Sequence, residues 1–147
     1  MNINKLNILL ADDDTDDCLF FKEATEELHE PVNFSAVHDG EQLMQLLMNE
    51  TGKLPDILFL DLNMPRKNGF ECLTEIKQNN KLKHMPVVIF STSGSHDNMS
   101  TLFKTGADVY IRKPGNLAQL VQVINHALPM ATEKIFSNGR LKYILNA

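Results

Sequence analysis

Residues 56–65 read Asp56-Ile57-Leu58-Phe59-Leu60-Asp61-Leu62-Asn63-Met64-Pro65. Four apolar residues in a row, bounded by carboxylates and followed by a proline, suit a strand buried on both faces. Such strands belong to parallel sheets with helices packed on either side. Working outward, short apolar runs alternate with longer amphipathic ones. Strands are predicted at 6–11, 33–37, 56–60, 87–90 and 109–112. Helices are predicted at 14–28, 41–49, 70–79, 95–105 and 116–128. Asp14 reads as the cap of the first helix, and Asp17 three residues on favours the positive end of its dipole. Asp39-Gly40 reads as a turn and Gly106 as the end of the fourth helix. Pro31 and Pro129 read as stops for the first and fifth.

Five strand–helix units in order imply an α/β three-layer sandwich with a parallel sheet. Right-handed crossovers leave few topologies, and the flavodoxin-like order 2-1-3-4-5 is the natural match. One domain over residues 1–128 is expected, with a C-terminal tail over 129–147.

The totals set limits. At 147 residues and 43% hydrophobic, the chain can bury one core. No apolar run approaches the roughly 20 residues of a membrane span, and Ile8 to Ala11 is too short for a secretory signal. Cys18 and Cys72 read as two buried thiols, which favours a reducing cytoplasm. The net charge of -5 comes from 19 acidic and 14 basic residues. Five acids, Asp12, Asp13, Asp14, Asp16 and Asp17, lie in one segment, and without them the count is 14 against 14. The acidic excess is therefore local. It invites a cation, and no basic cluster speaks for nucleic acid.

In an open parallel sheet, ligands bind beyond the carboxyl ends of the strands. The first strand ends in Asp12-Asp13, the third in Asp61, the fourth in Ser91-Thr92 and the fifth in Lys113. In the 2-1-3-4-5 order, Asp12, Asp13 and Asp61 converge. Two unit charges 4 Å apart repel by about 4 kcal/mol at an effective dielectric of 20. A proton or a cation must relieve this, and Mg²⁺ suits one or two carboxylates, a carbonyl, waters and a phosphate. The Asn63 carbonyl is placed to add an oxygen, and Lys113 adds fixed positive charge. That set is what phosphoryl transfer to a carboxylate requires, with Asp61 as nucleophile and the Ser91 hydroxyl donating to a phosphoryl oxygen.

These residues resemble the receiver domain of bacterial two-component response regulators. The likeness spans about residues 6–128. It rests on Ile8-Leu9-Leu10-Ala11-Asp12-Asp13-Asp14, on Leu60-Asp61-Leu62-Asn63-Met64-Pro65 with Gly69, on Pro86-Val87-Val88-Ile89-Phe90-Ser91-Thr92, and on Gly106-Ala107-Asp108 leading to Tyr110-Ile111-Arg112-Lys113-Pro114. The resemblance implies that Asp61 is the phospho-acceptor and Asp13 a direct Mg²⁺ ligand. It implies Asp12 beside them, acting through water, and the Asn63 backbone as a further ligand. It makes Ser91 the switch hydroxyl, Tyr110 the aromatic switch and Lys113 the phosphate-binding lysine. The Lys113–Pro114 bond is cis in such relatives. Gly115 departs from the aromatic often found there. The details are similar to stand-alone receivers, including chemotaxis-type receivers and the partners of bacterial phytochromes.

The implied activity is regulatory. A sensor histidine kinase, phytochrome-type by the same likeness, delivers phosphate to Asp61. Ser91 and Tyr110 then change the surface of the fourth helix, fifth strand and fifth helix. Such a domain catalyses only its own phosphorylation and dephosphorylation. Residues 130–147 are too few for an output domain, so the signal is expected to pass to a downstream protein target. The tail carries Ile135, Phe136, Leu141, Tyr143, Ile144 and Leu145. They are expected to pack on their own domain, a homodimer contact being the alternative. An aspartyl-phosphate hydrolase of the haloacid-dehalogenase type carries Asp-x-Asp after its first strand, whereas here Asp61-Leu62-Asn63 follows the third. A flavin carrier wants its phosphate loop after the first strand, whereas Ser91-Thr92-Ser93-Gly94-Ser95 follows the fourth. A receiver fold that works as a plain adaptor would lack site residues that are all present here. The five histidines, His29, His38, His84, His96 and His126, show no metal-ligand spacing.

Overall fold

A computed structural model describes residues 5–49, 52–92, 96–133 and 143–145. Its centre is β1 (Leu6–Ala11), β3 (Ile57–Leu60) and β4 (Val87–Ser91). All four residues of β3 are fully buried, as its apolar run requires. Side chains alternate between the two faces of a strand, and two separate cores result. Leu9, Leu58, Leu60 and Ile89 pack into one. Ile8, Leu10, Ile57, Phe59 and Phe90 pack into the other. Phe21 sits in the second core, with ring centroids 5.0 Å from Phe59 and 5.4 Å from Phe90.

The strands β2 (Val32–Val37) and β5 (Val109–Arg112) flank this centre. The helices α2 (Gly40–Leu47), α3 (Gly69–Gln78) and α4 (His96–Thr105) cover the first face. The helices α1 (Thr15–Thr25) and α5 (Leu117–Glu133) cover the second. All strand pairs are parallel, in the order β2-β1-β3-β4-β5 that the alternation predicts.

Caps fix the helix starts. Asp14 Oδ1 accepts from the N–H groups of Asp16 and Asp17 at 2.9 and 3.2 Å. Asp39 caps α2, so Asp39-Gly40 is a helix start as well as a turn. Asn68 and Glu71 form a reciprocal capping box on α3. Gly106 follows α4 with φ 130°, a conformation that favours glycine.

Four expectations need correction. The first helix ends at Thr25, before Pro31, because the Glu26 and Glu27 N–H groups turn back to Glu23 and Ala24 carbonyls. Pro129 does not stop α5, which continues to Glu133. An interior proline costs about 3 kcal/mol, but continuation buries Ala131 and packs Met130 against the second core, which offsets part of that. No cis peptide occurs among the described residues, so the Lys113–Pro114 bond is trans. Trans is the lower-energy isomer, and Lys113 reaches the site from it. Finally, a sixth strand, β6 (Tyr143–Leu145), pairs parallel with β5 in the register Tyr110↔Ile144. Three residues carry too little periodicity to announce a strand. This part of the tail therefore pairs with its own sheet. Ile135, Phe136 and Leu141 lie outside the described residues.

Candidate functional site

The carboxyl ends of five strands meet in one rim. The Asp61 N–H donates to the Ala11 carbonyl at 2.9 Å, Asp12 to Val37 at 3.0 Å and Lys113 to Ser91 at 2.9 Å. These bonds extend the sheet ladder by a residue and set where each functional side chain leaves the backbone. Gly69 packs so close behind Asp61 that an added Cβ would lie 2.2 Å from its carbonyl oxygen. Only a residue without a side chain allows α3 to start there.

Asp12, Asp13 and Asp61 come together as predicted. Each offers a carboxylate oxygen, and these lie within 4.8 Å of one another. Asp12 and Asp61 are buried, at 0% and 5% exposure, and Asp13 faces solvent. The Asn63 N–H donates to Asp61 Oδ1 at 3.4 Å, which places that residue on the same rim. A cavity of about 680 Å³ opens beside Asp13 and Asn63, bounded by Pro65 and Phe70.

The Lys113 ammonium closes the other side. It lies 3.3 Å from Asp61 Oδ2 and 2.8 Å from Asp12 Oδ2, and 5.5 Å from the centre of the Phe90 ring. It also donates to Asp17 Oδ2 at 2.8 Å. That partner escapes a reading by strand ends, because Asp17 lies on α1 and already has a local explanation at the helix dipole. Burial alone would lower the Lys113 pKa, but hydrogen bonds to Asp12 and Asp17 and the charge of Asp61 carry it above its ordinary value.

The charges do not balance, since three carboxylates contact one ammonium and a fourth, Asp13, stands beside two of them. Asp12 Oδ1 accepts from the Asp14 N–H at 3.0 Å, while the buried Oδ2 meets the Lys113 ammonium at 2.8 Å. Burial pushes the Asp61 carboxyl up to about 6, with Lys113 opposing and Asp12 adding to the rise. A buried carboxylate pair and an exposed third carboxylate, their oxygens within 4.8 Å of one another, fit a hard divalent cation with oxygen ligands and water.

Ser91 and Tyr110 stand side by side on neighbouring strands. Both are buried, and the Ser91 hydroxyl makes no hydrogen bond of good geometry among the described residues. Burial raises the Tyr110 pKa, and the nearby Ser91 hydroxyl opposes the rise. The Tyr110 ring packs into the first core.

The cysteines are buried free thiols, as expected. Burial, then the charge of Asp12, pushes Cys18 up to about 11, so it is no nucleophile. His29, His38, His84 and His126 are exposed, although the His38 ring does reach to 3.3 Å from the Asp12 carbonyl. The side chain of His96 lies outside those described.

Residues 8–125 match the family model of the response regulator receiver domain. The chain belongs to that family. Response regulator Rcp1 of Synechocystis sp. is 32% identical over 121 residues, covering 80% of this chain and 82% of that protein. Transcriptional regulatory protein CpxR of Escherichia coli is 36% identical, but this chain spans only 48% of its length. Among solved structures, the phosphorylated cyanobacterial phytochrome response regulator RcpA superposes with a TM-score of 0.80 at 31% identity, covering 90% and 98% of the two chains. The Mn²⁺-bound form of Rcp1 follows with 0.77 at 30%, covering 89% and 97%. This chain is thus a receiver domain of two-component phosphorelay signalling with the flavodoxin-like fold of its relatives. Members of the family bind Mg²⁺ and work with histidine kinases. Among the described residues no helix is long and apolar enough to cross a membrane.

Proposed function

We propose that Asp61 is the phosphoryl acceptor of this receiver domain. The observation that carries this is the meeting of the Asp12, Asp13 and Asp61 carboxylates within 4.8 Å, with Lys113 3.3 Å from Asp61. Asp13, Asp61 and the Asn63 carbonyl would hold Mg²⁺, with Asp12 beside them. The bound ion supplies positive charge that relieves the crowded carboxylates and offsets charge on the phosphoryl oxygens.

The chain's own residues do the rest. Asp61, ionised at neutral pH, attacks the phosphorus of a phosphohistidine on the partner kinase. An O–P bond forms, the P–N bond breaks, and its electron pair leaves with the imidazole. Lys113 meets one phosphoryl oxygen. The Ser91 hydroxyl turns to another. Tyr110 moves into the space that Ser91 vacates, and the surface formed by α4, β5 and α5 changes with it.

The domain acts in the cytoplasm, where its buried thiols stay reduced. A phytochrome-type sensor kinase is the upstream partner that the likeness to RcpA supports. The output passes by contact to a downstream protein. The domain transfers phosphate to and from its own carboxylate and to no other substrate. With acetyl phosphate and Mg²⁺, wild type is expected to take up one phosphoryl group and Asp61→Asn none. Uptake by Asp61→Asn at the wild-type rate sinks the assignment.

A further inference from the structure

The Lys113 ammonium is shared between two elements of the fold. Its contacts to Asp12 and Asp61 join strand ends. Its contact to Asp17, at 2.8 Å, joins it to the first turn of α1 and is shorter than the 3.3 Å contact to Asp61. Asp17 is not free to drift, because its N–H is held by Asp14 Oδ1. The side chain of Asp17 is 36% exposed, against 10% for Lys113 and 6% for Asp61. The ammonium therefore bridges the buried rim, where Asp12 Oδ2 is also 2.8 Å away, and a carboxylate at its edge, over the Phe90 ring.

We propose that Asp17 is a positioning residue that holds Lys113 on the α1 side of the site, in competition with a phosphoryl group on Asp61. This rests on the reading of Asp61 as acceptor. A phosphoryl oxygen adds negative charge where Asp61 now stands and needs the same donor. Meeting it means stretching or breaking a charge-assisted hydrogen bond to Asp17. Asp17 thereby sets how tightly the site grips a phosphoryl group. Loss of its charge frees the ammonium, and the grip tightens.

Beryllofluoride with Mg²⁺ serves as the probe, since it binds an ionised carboxylate as a phosphoryl mimic and fluorine NMR counts what is bound. Asp17→Asn is expected to bind it about tenfold more tightly than wild type, the size of one charge-assisted hydrogen bond. Asp16→Asn removes the same charge one residue away, without a contact to Lys113, and is expected to stay within about twofold of wild type. Asp17→Glu is expected to restore wild-type affinity. In a Lys113→Met background the gain from Asp17→Asn is expected to vanish. Asp17→Ser gives the same gain and replaces Asp17→Asn if that variant does not fold. Asp17→Asn no tighter than Asp16→Asn overturns the proposal. So does a gain that survives undiminished without Lys113, because that is a general field effect. Asp61→Asn binding as well as wild type overturns the acceptor assignment, and the proposal falls with it.

Discussion

Asp61 holds its proton to a higher pH than an exposed carboxyl does. Its folded pKa of about 6 lies above the ordinary 3.8. An acid shifted upward binds protons more tightly when folded. The stability it contributes is present below about pH 4 and lost as pH rises through about 6. In metal-free buffer near neutral pH, Asp61→Asn is therefore expected to be more stable than wild type by about 2 kcal/mol. The gap should close toward pH 4. Denaturant titrations at several pH values check this, and a gap that is constant with pH contradicts it. Gly69 makes a second demand at this scale. A methyl group there meets the Asp61 carbonyl at 2.2 Å and the Leu62 Cα at 2.8 Å, and both are backbone. Gly69→Ala is expected to cost about 2–3 kcal/mol and to slow phosphoryl uptake, because Asp61 must shift. Equal stability by the same titration would show that the backbone yields cheaply. The site residues at strand ends were legible because topology alone brings Asp12, Asp13, Asp61, Ser91 and Lys113 to one rim. Asp17 was not, since its contact to Lys113 crosses 96 positions from a helix to a strand end.

Elements were legible where local chemistry and burial agree. β3 reads as a buried strand and is one, and Asp14 reads as a cap and is one. They were not legible where tertiary packing overrides a local signal. Pro129 lies inside α5 because Ala131 is buried and Met130 packs against the second core beyond it. Pro129→Ala restores an N–H to the helix ladder. It is expected to raise stability by about 1–2 kcal/mol, read from the denaturation midpoint. A loss of stability would mean that the helix is adapted to the proline. β6 gives the opposite lesson. Its three residues have no periodicity of their own, and the unpaired edge of β5 decides their structure. Removal of residues 141–147 is expected to cost about 1–2 kcal/mol, the worth of a few strand hydrogen bonds. Hydrogen exchange along β5 should speed up at the same time. Unchanged exchange along β5 would place the strand elsewhere in solution.

Across the whole molecule, a local excess of charge sits on a rigid sheet. The net charge of -5 equals the cluster of five aspartates at 12–17, and the rest of the chain is balanced. That cluster favours a divalent cation and leaves the remaining surface free for protein contacts. The sheet ties Asp61 to Tyr110 through three neighbouring strands, β3, β4 and β5. Coupling between a site and a surface is typically worth about 1–3 kcal/mol, which shifts a population without refolding the domain. The central claim is that a phosphoryl group on Asp61 drives that shift. The most direct measurement is peptide mapping by mass spectrometry after incubation with acetyl phosphate and Mg²⁺. One phosphoryl group is expected, on the peptide containing Asp61, not formed when Mg²⁺ is chelated beforehand and absent from Asp61→Asn. A phosphoryl group on another residue, undiminished in Asp61→Asn, would contradict it.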